Sequence, residues 1–592
     1  MCRHARIPQI SDIYIDYRIV LSYIVDMHIA RALWPSSNGK TYQSIYLRES
    51  FRQDGKVKKR DIANLTHCDP AEIAAIELAL KHKGDLSALA SLDGVHLQEG
   101  ASVGAVWTAA EVARRIGLDQ ALGTDFAGQL ALWQVIARLL DQGSRLSAVR
   151  LAQVHAACDV LGIRRGFDEN DLYENLSWLC QHQEQIECRL FAARRAQRKP
   201  ELFLYDVTSS YLEGEDNALG AYGYNRDGKR GKKQIVIGLL CDEEGVPVST
   251  EVFRGNTQDP KTFGAQVRKA SQRFGCERVT FVGDRGMIKS GQIEELSQAG
   301  FHYITAITKP QIETLLAGGV LQMALFDDSL CEVEQEGVRY VLRRNPVRAE
   351  EIAATRTGKQ ASVAALVEQR NQYLAKHAKA KVSAAEKKVL AKIARLKAAA
   401  WLRVESAGRT LKLVSDEEAR TEVARLDGCY AIKTDLPETA ASKQVVHDRY
   451  KDLTEVEMAF RTSKTVHLEM RPVYVRTEEH TRGHVLAVML AYLIRRELSQ
   501  AWEGLNVTVE EGLAQLATLC SMEVQVEGGA SCLRIPTPRD ASRALLQAAS
   551  VRAPEILPHL ETRVVTRRSL QSRRKSPCTN NDLEPGNTGP KR

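Results

Sequence analysis

At 592 residues the chain is too long for one ordinary domain and long enough for several buried cores. Its composition, 44% hydrophobic and 26% charged, is that of a globular protein, and no uninterrupted apolar run is long enough to cross a bilayer as a helix. The net charge of +8 is concentrated at one end: the segment from Arg563 to Arg592 holds eight Lys/Arg against two acids, so the charge permits nucleic-acid binding without demanding it. The 12 cysteines are scattered, with no CxxC pair and no Cys/His cluster at zinc spacing, and read as reduced thiols. The first 25 residues carry Asp12, Asp16 and Arg18 and lack a clean apolar core with a small-residue cleavage site, which argues against a secretory signal and for the cytoplasm.

In chain order, residues 41–65 alternate apolar and polar side chains on either side of Asp54-Gly55, which predicts a hairpin. A helix is expected over 70–90, with Pro70 near its start. From about 103 to 200 apolar residues recur at three and four, predicting a helical region that serves either DNA binding or packing. At Glu201 the pattern changes. The strand ELFLYDVTSSYLEG is followed by the Gly- and Lys-rich loop GAYGYNRDGKRGKK, then by two strands around Glu244-Gly245. A helix at 260–275, the strand RVTFVGD, the helix SGQIEELSQAG and the strand HYITAIT complete a mixed α/β sheet. Strand-like pieces around an Ala/Lys-rich helical stretch at 362–400 then interrupt the alternation. The sheet pattern returns in GCYAIKTDL, and two helices are expected at 440–464 and 470–500.

Three acidic residues stand out. Asp206 closes the apolar run LFLYD and Asp284 closes VTFVGD, so strands of one sheet can bring both carboxylates to a shared point. Each alone has a plainer explanation, because Asp caps turns and helices constantly. In DRYKDLTEVEMAFRTSKT, a step of seven residues leaves Tyr450, Glu457 and Lys464 within about 40° on one helix face, with Leu453 and Arg461 flanking Glu457. The plainer reading there is a solvated helix with a Glu–Arg pair. The Gly-rich loop carries Lys229, Arg230, Lys232 and Lys233, and reads equally as a phosphate approach or as a connector; it lacks nucleotide-binding spacing.

The spacing Tyr450-x2-Leu453-x3-Glu457-x6-Lys464, with YDVTSSYLEG, GNTQDPKTF and VTFVGDRGM in order before it, resembles the DDE insertion-sequence transposases of insertion-sequence family four and its near relatives. Their signature is Tyr-x2-Arg-x3-Glu-x6-Lys, so Leu453 departs from it, and Arg461 or Arg449 is a neighbouring substitute. The resemblance runs from about residue 40 to 500. It implies an α/β fold: an RNase H-like mixed-sheet catalytic domain interrupted by a β-rich insertion, after a largely helical N-terminal region. It also implies that Asp206, Asp284 and Glu457 are catalytic and hold two Mg²⁺ ions, for which Mn²⁺ can substitute, while Tyr450, Lys464 and Arg461 contact DNA.

The implied activity is cleavage at transposon ends and transfer of the freed 3′-hydroxyl into target DNA. The implied partners are double-stranded DNA, as terminal inverted repeats and target, and further copies of the chain in a homodimer or higher oligomer. An RNase H-like nuclease without strand transfer and a non-catalytic DNA-binding derivative are the alternatives. The expected divisions are 1–100, 101–200, 201–309, 310–424, 425–500, 501–565 and a disordered basic tail at 566–592. In this family the chain begins near Met27, so residues 1–26 are expected to be untranslated. Trp401 reads as a core residue of the insertion, with an aromatic wedge for a DNA hairpin as its alternative role.

Overall fold

The computed structural model describes residues 26–35, 41–53, 56–81, 83, 95–195, 200–465, 467–470, 473–526 and 531–567. The expectations for the chain start and for the basic tail fall almost entirely outside them. The chain divides into two compact units, residues 1–98 with 523–532 and residues 99–522 with 533–592.

In the first unit, β1 (Asp26–Pro35), β2 (Thr41–Gln53) and β3 (Lys56–Asn64) form an antiparallel sheet in that order. Gln53 pairs with Lys56, which brackets the expected Asp54-Gly55 turn, itself outside the described residues. Helix α1 (Pro70–Lys81) starts where Asp69 accepts from the Ala71 amide (2.8 Å) while Glu72 accepts from the Asp69 amide (3.0 Å). That reciprocal cap satisfies donors no helix can satisfy internally. The helix is shorter than expected.

Strand β4 (Val95–Ser102) leads into the second unit. Helices α2 (Gly104–Arg115), α3 (Leu118–Leu122), α4 (Phe126–Leu140), α5 (Arg145–Val154), α6 (Ala157–Leu161) and α7 (Glu169–Arg195) follow, as the three-four periodicity predicted. Their apolar faces, with Trp133, Leu176 and Leu179 among them, are buried in one large core.

The central sheet has eight strands: β5 (Leu202–Tyr211), β6 (Gln234–Cys241), β7 (Pro247–Arg254), β8 (Thr280–Gly283), β9 (His302–Ala306), β10 (Cys331–Gln335), β11 (Val338–Arg344) and β14 (Cys429–Thr434). Their order is β10-β11-β14-β9-β8-β5-β6-β7. β5, β6 and β7 are joined antiparallel, whereas β8 and β9 run parallel to β5. β5 and β6 are almost wholly buried, which explains their near-continuous apolar runs. Helices α8 (Asp259–Arg268), α9 (Ser290–Gln298) and α10 (Lys309–Ala317) connect these strands.

The insertion differs from expectation. Cys331–Gln335 and Val338–Arg344 belong to the main sheet, and the true excursion lies between Asn345 and Gly428, whose backbones meet at 2.9 Å. It is largely helical rather than β-rich: α11 (Pro346–Lys376), α12 (Val382–Arg395) and α13 (Glu417–Ala424) against one hairpin, β12 (Leu402–Ala407) with β13 (Thr410–Ser415). The physical reason is composition, since Ala, Lys, Glu, Gln and Arg dominate the segment and are strong helix formers. The excursion has its own core around Val363, Leu374, Val389 and Trp401.

The expected helix at 440–464 is two helices, α14 (Lys443–Lys451) and α15 (Leu453–Lys464), separated at Asp452. Asp452 pairs with Arg449 (3.3 Å) at the joint. Helix α16 (Glu478–Trp502), capped by Thr477, packs against α4 and α7. Gly483 permits that crossing, because a Cβ there would stand 2.0 Å from the Leu176 carbonyl oxygen of α7.

Candidate active site

Asp206 and Asp284 are brought together by strand register. Tyr205 pairs with Gly283 in the parallel β5–β8 ladder, so the next residue of each strand is one of the two aspartates. Asp284 follows the last residue of β8, as the sequence suggested. Asp206 does not end its strand: β5 continues to Tyr211, because Val207, Ser209 and Tyr211 go on pairing with β6. Glu457 comes from α15, which packs across β5. That helix is seated by buried Leu453, Val456, Ala459 and Phe460. Leu453, which replaces the signature Arg, is therefore a core residue.

All three carboxylates line one cavity of about 560 Å³. Its walls also include Arg226, Asp227, Asp259, Arg461 and Lys464. Burial, opposed by a hydrogen bond from the Val207 backbone and reinforced by the charges of Asp284 and Glu457, pushes the Asp206 pKa up to about 7. The Tyr450 hydroxyl donates to Asp284 Oδ1 at 3.0 Å. Burial, and then the Asp284 carboxylate, raise the pKa of that phenol.

The cavity cations are unevenly used. Arg226 makes a two-pronged contact with Asp259 (2.8 and 2.7 Å). Lys464 is buried, with Nζ 2.6 Å from Asp227 Oδ1, 2.9 Å from Thr208 Oγ1 and 2.5 Å from the Ser209 carbonyl. The side chain expected to meet phosphate is thus turned into the protein. Arg461 is exposed at the cavity and open to solvent. Among the described residues, no ion pair within 4 Å is found for Asp206, Asp284 or Glu457.

Sequence reasoning missed Arg226, Asp227 and Asp259. The Gly-rich loop it left open is stapled to the end of β5. Asp227 accepts from the Tyr211 amide (3.0 Å), and the Arg226 amide donates to Ser209 Oγ (2.9 Å). An Asx turn at Asn225, which accepts from the Asp227 amide (2.9 Å), was the available local signal. Trp401 is buried within the excursion, with the Arg420 guanidinium 5.8 Å from its ring centre, and so is not exposed as a wedge.

Carboxylate oxygens gathered with no ion pair of their own among the described residues suit a hard divalent ion. Among the described residues, however, no three His, Cys, Asp or Glu side chains are drawn closely enough together to form a ready-made metal cage.

Comparison with known proteins gives two family matches. Residues 197–494 match the transposase DDE domain, and residues 35–90 match the N-terminal domain of IS1634 family transposases. No curated protein matches the chain. A solved structure, the piggyBac transposase synaptic complex with hairpin DNA, is similar at 10% identity over 75% of each chain, with a TM-score of 0.32, too low to carry an argument. The DDE match spans half the chain and contains all three clustered carboxylates. The chain belongs to the DDE insertion-sequence transposases, enzymes of DNA transposition that bind DNA, cleave it and transfer its strands, generally with divalent metal ions.

Proposed function

We propose that the chain carries out cut-and-paste transposition at an RNase H-like site whose catalytic residues are Asp206, Asp284 and Glu457. The observation that carries this reading is their convergence: three carboxylates from β5, the end of β8 and α15, 78 and 173 positions apart in sequence, line one cavity. An RNase H-like layout is supported by the strand order β7-β6-β5-β8-β9, three antiparallel strands followed by two parallel ones. On this reading residues 200–344 and 428–502 form the catalytic domain, interrupted by the excursion.

Two Mg²⁺ ions, held by the three carboxylates, would supply Lewis-acid stabilisation of charge on the entering and leaving oxygens of the phosphodiester. The protein's own groups prepare that site. Tyr450 orients Asp284 through its hydroxyl. Asp206, the most buried of the three, is held toward its protonated form by burial, and a bound cation would favour its charged form. Arg461, exposed at the cavity, is the phosphate contact. Lys464 is a positioning residue in this conformation, tying α15 to β5 and to the 220s loop. A dimer or higher oligomer would hold two transposon ends together for joining to one target.

The test uses purified full-length protein with duplexes carrying the element's terminal repeats. Asp206→Ala, Asp284→Ala and Glu457→Ala are each expected to reduce Mg²⁺-dependent end cleavage at least 1,000-fold, on the order of 4 kcal/mol of transition-state stabilisation, with end binding retained. A variant that still cleaves removes its residue from the site. Cleaved ends never joined to a target plasmid would remove strand transfer and leave the nuclease reading.

A further inference from the structure

Strand β3 has no role in the catalytic reading, and its surroundings are unusual. All nine of its residues, KVKKRDIAN, are exposed. A strand is ordinarily stabilised by burying at least one face, and a hairpin without a covered face is marginal in water. On β3 neither face is covered, although Ser44–Phe51 of β2 are half-buried. The sheet of β1, β2 and β3 nevertheless holds an antiparallel register, with one bulge between the Leu47–Ala63 and Arg48–Asp61 pairs, and is pinned across β2 and β3 by the ion pairs Arg48–Asp61 and Arg60–Glu49, each at 2.5 Å.

Those two pairs engage both acids of the paired strands. The rest of the ribbon's charge is positive: Arg52 on β2, and Lys56, Lys58 and Lys59 on β3, all exposed. The register distributes these cations across the ribbon. Lys56 and Lys58 share a face with Arg60, while Lys59 shares the opposite face with Arg48 and Arg52. Each face therefore presents three cations, and neither presents an acid free of a cross-strand Arg. Lys on an edge strand also discourages pairing with another β-strand, which speaks against a second sheet as the occupant.

We propose that the β2–β3 ribbon is a docking arm for duplex DNA, lying in or along the major groove with its lysines on the phosphates. Charge complementarity selects a polyanion. Two strands spaced about 4.8 Å apart match a groove about 12 Å wide, which admits a two-stranded ribbon. The proposal rests on the chain's being a transposase that acts on duplex DNA, and adds a binding surface separate from the carboxylate cavity.

The experiment measures binding of full-length protein to a fluorescein-labelled 40-base-pair duplex of random sequence, by anisotropy, over a series of salt concentrations. The combined variant Lys56→Ala, Lys58→Ala, Lys59→Ala is expected to bind at least 10-fold more weakly near physiological salt. Its slope of log affinity against log salt should fall by about 2–3, at roughly 0.9 for each phosphate no longer neutralised. Charge reversal, Lys56→Glu with Lys59→Glu, is expected to weaken binding further. Because these side chains are exposed, an unchanged thermal midpoint should accompany the weaker binding. Parent-like affinity and slope in both variants would overturn the proposal. So would unchanged DNA binding with a shift in molar mass by light scattering, which would make the ribbon a protein-binding surface. An Asp284→Asn arm separates the two readings: cleavage retained there sinks the active site and leaves the ribbon, whereas a parental salt slope in the lysine variants sinks the ribbon and leaves the active site.

Discussion

The Lys464–Asp227 pair is buried on both sides, its side chains 9% and 1% exposed. Removing one partner of such a pair strands a charge in the interior, at about 3–5 kcal/mol. Lys464→Ala is expected to lose stability of that size in denaturant melts, and adding Asp227→Asn should restore much of it; equal losses in the single and double variants would remove the pair as the cause. Asp206 predicts a pH effect of definite sign. Its folded pKa of about 7 lies above the unfolded value near 4, so the folded state holds the extra proton between them. Stability of metal-free protein should therefore be highest below pH 4 with respect to this group, and fall as pH rises to 7. Mg²⁺ should recover the loss above pH 7, and a flat thermal midpoint across pH 4–7 in comparison with Asp206→Asn would refute it. Asp206, Asp284 and Glu457 could be singled out in the sequence because local patterns mark apolar strands and a helix stripe, and because those blocks in order resemble the transposase family. Arg226, Asp227 and Asp259 were not, because their meaning lies in partners 16 to 237 positions away that only the fold brings near.

Helix α15 depends on a turn as much as on its own sequence. Gly245, at the β6–β7 turn, has φ of +73°, and a Cβ there would stand 2.4 Å from Glu455 Cβ, two residues before Glu457. Gly245→Ala therefore meets both backbone strain and a collision with α15. A cost of about 1–3 kcal/mol and at least a 10-fold fall in cleavage are expected, the latter with DNA affinity unchanged; full activity would show that α15 can shift freely. The turn itself was legible, because Glu244-Gly245 sits between two apolar runs. Its approach to α15 was not, since it joins residues 210 positions apart. The break at Asp452 was missed for a related reason: the seven-residue spacing of Tyr450, Glu457 and Lys464 fits one continuous helix, and periodicity cannot register a one-residue interruption of the helical hydrogen bonding at a residue that keeps a helical backbone. Tyr450 consequently approaches Asp284 from α14, while Glu457 belongs to α15.

Across the whole molecule, the mixed sheet was legible from alternating strands and helices, but the membership of β10 and β11 was not. They lie beyond the point where the alternation stops, and their partner β14 follows an excursion of more than 80 residues. That excursion leaves and returns through Asn345 and Gly428 at a single 2.9 Å hydrogen bond. The separation of β11 and β14 along the chain therefore overstates how hard they are to bring together. If the excursion closes first, through the short-range packing of α11 on β13 and α12 on β12, it acts as a clasp that delivers the two strands as near neighbours. The entropic cost of closing the loop is then met within the excursion rather than by the sheet. Trp401→Ala, expected to weaken the excursion's core by about 3–5 kcal/mol, should delay protection of β11 and β14 amides in pulsed hydrogen exchange during refolding, with β5 and β6 protected on the parental schedule. Equal timing in variant and parent would show that the sheet assembles without the clasp. Where the clasp closes first, the position of Glu457, downstream of β14, is a matter of timing as well as geometry: the last carboxylate reaches the other two only after a distant helical module has finished folding.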